Sequence, residues 1–266
     1  MVRQERVSLP HGKTRYLEAG DGWPVVLLHA FPLNADMWRP QLERVPDGWR
    51  YIAPDLRGFG PESRTPATSM DDFADDVVAL LDALEIEKAT IGGLSMGGYA
   101  TFALLRRAPE LFTAVILADT RSTADTEDGR AARMKMLDTL RSRGVSAVID
   151  EMMPKLLGAA TRGERPELAG RVREIALMNT AEGVAGGVSA MRDRPDSTAQ
   201  LEKISVPVLL MVGEDDTLTP LADSEAMRAF IRRTHLVDIP RAGHLSNLEA
   251  PDQFSAALAD FLIAPL

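Results

Sequence analysis

Gly93-Leu94-Ser95-Met96-Gly97, inside the stretch KATIGGLSMGGYA, places a serine among glycines on both sides. A serine hydroxyl is a weak nucleophile alone; it attacks a carbonyl carbon when a general base takes its proton. Glycine inside regular structure is unfavourable by up to about 1 kcal/mol relative to alanine. Gly92, Gly93, Gly97 and Gly98 therefore point to a backbone that must approach its neighbours closely. An apolar run, Ala89–Ile91, precedes the serine and a helical pattern, Tyr99–Arg107, follows it. At such a strand–turn–helix hinge the hydroxyl projects from the carboxyl end of a sheet. The Met96 N–H would lie at the helix N-terminus, where free donors favour a developing negative charge. The bare G-x-S-x-G pattern arises by chance in roughly one chain in ten of this length. The flanking strand, helix and extra glycines are what make it specific.

A nucleophilic serine needs a base, and the chain has four histidines. His11, in a hairpin turn, and His235, at the start of a strand, are expected at the surface. His29 ends the run Val25–Leu28 and is read as a brace for the HAFP loop. His244 follows the last apolar run in RAGHLSNLEAP and is the candidate base. Its imidazole requires an orienting carboxylate. LLMVGEDDTLTP offers Glu214, Asp215 and Asp216 directly after a buried strand. The first two read as solvated, and Asp216, next to a helix start, should sit deepest. Asp119, at the end of another apolar run, is a competitor.

The elements that must position these groups alternate along the chain. Apolar runs at Val25–Leu28, Tyr51–Ala53, Ala89–Ile91, Thr113–Ala118, Val206–Val212 and Leu236–Ile239 alternate with helical patterns. Those patterns are Asp72–Leu84, Tyr99–Arg107, Pro220–Arg232 and Pro251–Leu262, with Ser69 and Asp72 capping the first and Thr219-Pro220 opening the third,. Such alternation predicts a parallel sheet with helices on both faces. A hairpin around Pro10-His11-Gly12 is expected at the sheet edge. From Arg121 to Ala199 only helical patterns appear (Ala131–Leu140, Val145–Met153, Leu168–Met178), too long a stretch for a loop,. Six of the 12 methionines fall there: Met134, Met136, Met152, Met153, Met178 and Met191. They read as helix core filling or as an adaptable apolar lid over a pocket.

Composition narrows the function classes. With 266 residues and 45% hydrophobic content the chain can bury a large core,. A formal charge of −9 argues against nucleic acid or an anionic membrane as the main partner,. The absence of cysteine excludes disulfides and thiol nucleophiles,. No apolar stretch approaches the roughly 18 residues of a membrane span. MVRQERVSLP lacks the apolar centre of a secretory signal, so a cytoplasmic address is expected,.

The order Ser95, Asp216, His244 resembles the catalytic triad of α/β-hydrolase fold enzymes. Over nearly its whole length the chain is similar to small carboxylesterases, enol-lactonases and cofactor-free perhydrolases. The resemblance implies an α/β fold: a mostly parallel eight-stranded sheet, helices on both faces and a helical cap. Residues 1–120 and 200–266 would form the core and 121–199 the cap. LLHAFPLNADMW looks like the family's oxyanion loop, with Ala30 where glycine is usual. By this likeness the N–H groups of Phe31 and Met96 hold the oxyanion. DLRGFGPES matches a structural turn, so Asp55 and Arg57 are scaffold, although Pro61-Glu62 departs from the usual spacing before Ser63.

The implied activity is carboxylic ester hydrolysis through an acyl-enzyme, with no cofactor or metal. The implied partner is a small-molecule ester or lactone, and the sequence carries no signal for an oligomeric state. Enol-lactone hydrolysis, perhydrolysis and carbon–carbon hydrolysis can use the same triad, and Pro32 resembles the perhydrolase-type loop. Haloalkane dehalogenase and epoxide hydrolase chemistry is disfavoured, because those relatives carry aspartate where this chain has Ser95. A ligand-sensing receptor on this fold is the reading from another class. Residues 121–198 carry 13 basic and 12 acidic side chains, from which a preference for small neutral esters is expected.

Overall fold

In the computed structural model, which describes residues 1–63 and 65–264, eight strands form one sheet. They are β1 (Arg3–Leu9), β2 (Gly12–Gly20), β3 (Trp23–Leu28), β4 (Trp49–Pro54), β5 (Ala89–Leu94), β6 (Phe112–Ala118), β7 (Val208–Gly213) and β8 (Thr234–Ile239). Their spatial order is β1-β2-β4-β3-β5-β6-β7-β8. β2 pairs antiparallel with β1 and β4, and every other neighbour is parallel. All six residues of β5 and of β7 are buried, as expected of strands covered on both faces,. The expected hairpin is β1–β2, and edge strand β1 exposes the charged Arg3, Glu5 and Arg6, which discourage further strand pairing,.

One expectation about that hairpin fails. His11 is not at the surface: its ring is 5% exposed, with Nδ1 2.8 Å from the Asp76 carboxylate and Nε2 3.1 Å from the Thr14 hydroxyl. The turn folds back onto a helix, which burial patterns in a short hairpin cannot reveal. His235, in β8, is exposed as expected.

The helices are α1 (Arg39–Leu42), α2 (Met70–Ala83), α3 (Met96–Arg107), α4 (Glu127–Leu156), α5 (Ala159–Glu164), α6 (Pro166–Leu177), α7 (Ala181–Arg192), α8 (Leu221–Arg228), α9 (Ser246–Glu249) and α10 (Pro251–Ile263). α2 opens in a capping box: the Ser69 hydroxyl accepts from the Asp72 amide, and the Asp72 carboxylate accepts from the Ser69 amide,. Between β6 and β7 lie α4 to α7, without a strand among the described residues. α4 bends at Gly144, where φ is 80°, which divides it into the two helical stretches read from sequence. Among the described residues no helix is long and apolar enough to cross a membrane.

A buried charge cluster holds the loop after β3 against the sheet. The Arg15 guanidinium on β2 donates to Asp55 at 2.7 and 2.9 Å and to Asp36 at 2.8 Å. Asp55 also accepts from the Ala35 amide at 2.9 Å. The scaffold reading of Asp55 follows from these bonds, because removing one partner of such a cluster leaves an uncompensated buried charge. Arg57 pairs with Asp76 and, at 3.5 Å, with Asp72 on α2. Despite the altered spacing, the Ser63 hydroxyl still accepts from the Gly58 amide at 2.8 Å.

Candidate active site

Ser95 stands between β5 and α3 with φ 55° and ψ −110°, outside the wells open to L-residues at low energy,. Four bonds hold it there. Its amide donates to the Ala118 carbonyl at 2.9 Å, and its carbonyl accepts from the Gly98 amide and the Thr120 hydroxyl, each at 2.9 Å, and from the Tyr99 amide at 3.2 Å. A Cβ on Gly97 would fall well inside contact distance of the Leu28 carbonyl oxygen on β3. The glycine is what lets α3 start so close to the sheet. Gly97→Ala is expected to push Ser95 and the loop after β3 apart and to lower kcat by about 10²-fold, since misplacements near 1 Å have that effect. Steady-state kinetics with a circular-dichroism check of folding measure it.

His244 follows β8 and is buried. Its Nδ1 lies 2.8 Å from Asp216 Oδ2. Asp216, in the loop after β7, also accepts from the Leu218 and Thr219 amides at 2.8 and 3.1 Å and from the Thr219 hydroxyl at 2.6 Å. Burial opposes ionisation of this carboxylate, but the His244 charge and these bonds outweigh it and hold its pKa below the usual range,. Thr219-Pro220 was expected to open α8; instead the Thr219 side chain serves Asp216, and Pro220 sits at the N-cap without a side-chain cap bond.

Asp119 is fully buried on the neighbouring strand end, with φ 44°. It accepts from the Gly213 amide at 2.8 Å and from the Ser246 hydroxyl. It thus lies beneath the loops that carry Asp216 and His244 and makes no bond to His244 among the described residues. Burial and then repulsion from Asp216 push its pKa well up. Glu249, which sequence reasoning passed over, accepts from the Gly243 and Gly158 amides at 3.0 and 2.9 Å and so fixes the His244 loop.

On the other side of Ser95 lies the loop after β3. His29 accepts at Nε2 from the Leu56 amide at 3.0 Å and donates from Nδ1 to the Ala30 carbonyl at 3.0 Å, the bracing role expected. Burial, the largest influence, lowers its pKa to about 4, so the ring is neutral near pH 7. Ala30 has no left-handed φ, so a side chain fits where glycine is usual. Neither the Phe31 nor the Met96 amide has a protein acceptor among the described residues. Asn179, at the end of α6, donates to the Pro32 carbonyl at 2.6 Å and accepts from the Gly60 amide at 2.7 Å. No local sequence signal marks this tie, because its partners lie more than 100 positions away.

Ser95, His244 and Phe31 line one cavity of about 560 Å³, within the range of small-molecule sites,. Met136, Met152 and Met191 line it too, Met153 packs against the core, and Met134 and Met178 are exposed, so the methionines divide among pocket, core and surface. Ser95 Oγ makes no hydrogen bond to His244 among the described residues; in hydrolases without substrate this contact is often long and tightens on binding.

A solved structure of a thermophilic esterase from Thermogutta terrifontis, with malate bound, has a TM-score of 0.92 and 35% identity, covering 98% of each chain. The enol-lactonase of Burkholderia xenovorans LB400 has a TM-score of 0.89 at 25% identity, covering 97% of this chain and 99% of its own. A 3-oxoadipate enol-lactonase of Acinetobacter baylyi is 30% identical over 236 residues, 88% of this chain and 86% of that enzyme. The family model for the alpha/beta hydrolase fold matches residues 24–251. With the sheet order and hinge geometry above, the chain belongs to the alpha/beta hydrolase fold family.

Proposed function

We propose that this hydrolase cleaves carboxylic esters by nucleophilic catalysis, with Ser95, His244 and Asp216 as the triad. The observation that carries the reading is the 2.8 Å Asp216–His244 pair at the wall of the cavity into which Ser95 opens. Asp216 keeps the imidazole proton on Nδ1, which leaves Nε2 free to accept the Ser95 proton. As Ser95 Oγ bonds to the ester carbon, the carbonyl oxygen takes up the displaced electron pair. The Phe31 and Met96 amides then hold that oxyanion, each such donor contributing about 3–4 kcal/mol of barrier lowering. The imidazolium returns its proton to the departing alkoxide, and an acyl-serine remains. Water, deprotonated by His244, attacks the acyl-serine; collapse of the second oxyanion frees the acid and restores the Ser95 hydroxyl.

A lactone is an internal ester and follows the same steps, its alcohol staying attached to the acid. The likeness to two enol-lactonases favours this as the second reading. The test is covalent. A fluorophosphonate reagent should add to the chain in one-to-one ratio, and peptide mass mapping should place it on Ser95. A label on another residue, or none on folded protein, rejects the assignment.

A further inference from the structure

The charges at the cavity are not distributed as the even count over residues 121–198 suggests. Glu151 is held by Arg143 at 2.7 Å, and Asp125 by Arg133 at 3.1 Å and Arg194 at 2.7 Å. The two acids of the cavity wall are thereby neutralised within the protein. Among its cations Arg133 is taken up by that pairing, whereas Lys135 and Lys155, exposed at the rim, pair with no carboxylate among the described residues.

Deeper in the wall is Arg121. It follows Thr120, whose hydroxyl holds the Ser95 carbonyl at 2.9 Å. Its Nη2 donates to the Leu218 carbonyl at 3.0 Å, in the loop that carries Asp216. The guanidinium is therefore fixed between the nucleophile and the acid loops, 32% exposed, on the cavity shared by Ser95 and His244. Burial opposes its charge, but Tyr99, Asp223 and Asp125 outweigh burial and push its pKa up, so the group is a fixed cation. No carboxylate among the described residues lies within hydrogen-bond distance of it: the nearest, Asp223, is 3.9 Å from Nη1. A half-buried guanidinium with spare donors is offset best by a carboxylate, whose two oxygens fit its planar fork.

We propose that Arg121 is the specificity residue of this site, selecting esters or lactones that carry a free carboxylate, while Lys135 and Lys155 draw such anions to the mouth. The proposal rests on the ester-hydrolase reading and replaces the expectation of neutral substrates. That expectation counted charges over the cap; what matters is which of them meet an opposite charge before substrate arrives. The cationic rim also gives anions a local attraction on a chain whose net charge of −9 otherwise repels them,.

Pairs of esters that differ only in charge test it. In one arm the carboxylate is on the acyl side: monoethyl succinate, glutarate and adipate against ethyl 4-methylpentanoate, 5-methylhexanoate and 6-methylheptanoate, where an isopropyl group replaces the carboxylate. In the other arm it is on the alcohol side: the acetate esters of 4-hydroxybutanoate and of 4-methylpentan-1-ol. Product acids are quantified by chromatography, with Ser95→Ala protein as the blank. The wild-type kcat/KM should favour the anionic member about 10–100-fold in at least one arm, mostly through KM, and the preference should shrink as salt is raised. Arg121→Gln should bring that ratio to about one, and Arg121→Lys should restore part of it.

The proposal is overturned if no pair shows a preference for its anionic member. It is equally overturned if Arg121→Gln slows both members in proportion, which is what a purely structural arginine would do. Fluorophosphonate labelling separates the two levels. Protein labelled at Ser95 that prefers the neutral esters, or turns over none of them, sinks the assignment of Arg121 alone. Folded protein that takes no label sinks the ester-hydrolase reading as well.

Discussion

Ser95→Ala is expected to lower kcat for a hydrolysed ester by about 10⁴–10⁶-fold while leaving the fold in place. Removal of the nucleophile forces water to attack substrate directly, and no acyl-enzyme divides the barrier. What remains is the oxyanion site, the binding of substrate and His244 acting on a water, which in serine hydrolases still outruns the uncatalysed reaction. The fold should survive because the Ser95 hydroxyl bonds no protein group among the described residues. The φ of 55° is held through backbone atoms that alanine also has. Unfolding free energy should change by no more than about 0.5 kcal/mol. Single-turnover kinetics, read alongside urea denaturation, measure both. A variant that keeps a tenth of wild-type turnover would mean that the bond is broken by another nucleophile.

What was legible in the sequence follows a physical division. Chain-local features could be read: the apolar runs that became β3 to β8, the Ser69–Asp72 box, and the glycines that bring α3 against β3. Each is a property of a few adjacent residues. The approach of Ser95, Asp216 and His244 to one end of the sheet could be read as well, because each stands in the loop after a strand and a parallel sheet puts such strand ends on one side,. Features that depend on contacts between distant segments could not. Asn179 is one, since its role appears only once α6 lies beside the loop after β3. Thr219 was missed for a different reason: its hydroxyl turns from the helix it precedes toward Asp216, three positions earlier in the same loop, a choice between two local partners. α7 was missed for a related reason: Gly183, Gly186 and Gly187 lower its helix propensity,. At Gly183 the absence of a Cβ admits the backbone of Gly58, so the same residue that hides the helix from a propensity reading seats it.

Asp216→Asn should lower kcat by about 10²–10⁴-fold without unfolding the protein, whereas Asp119→Asn should cost at most about tenfold. All the groups around Asp216 are donors: the Leu218 and Thr219 amides on Oδ1, the Thr219 hydroxyl and His244 Nδ1 on Oδ2. An asparagine can keep its oxygen toward the two amides, so the loop holds its shape. Its NH₂ then faces His244 Nδ1, which must become an acceptor, and the ring proton moves to Nε2. There it occupies the position that should take the proton of Ser95. The side chain is nearly isosteric, yet the base is held in the wrong tautomer. Asp119 lacks this leverage. Burial and the charge of Asp216 already push its carboxyl toward the neutral form, which asparagine imitates,. Its oxygen can still accept from the Gly213 amide, so the main change is at Ser246, beneath the base loop. Stopped-flow and steady-state rates of the two variants, with thermal unfolding as the control, decide the matter. A large loss in Asp119→Asn together with near-wild-type turnover in Asp216→Asn would transfer the role of triad acid to Asp119 and leave the hydrolase reading intact.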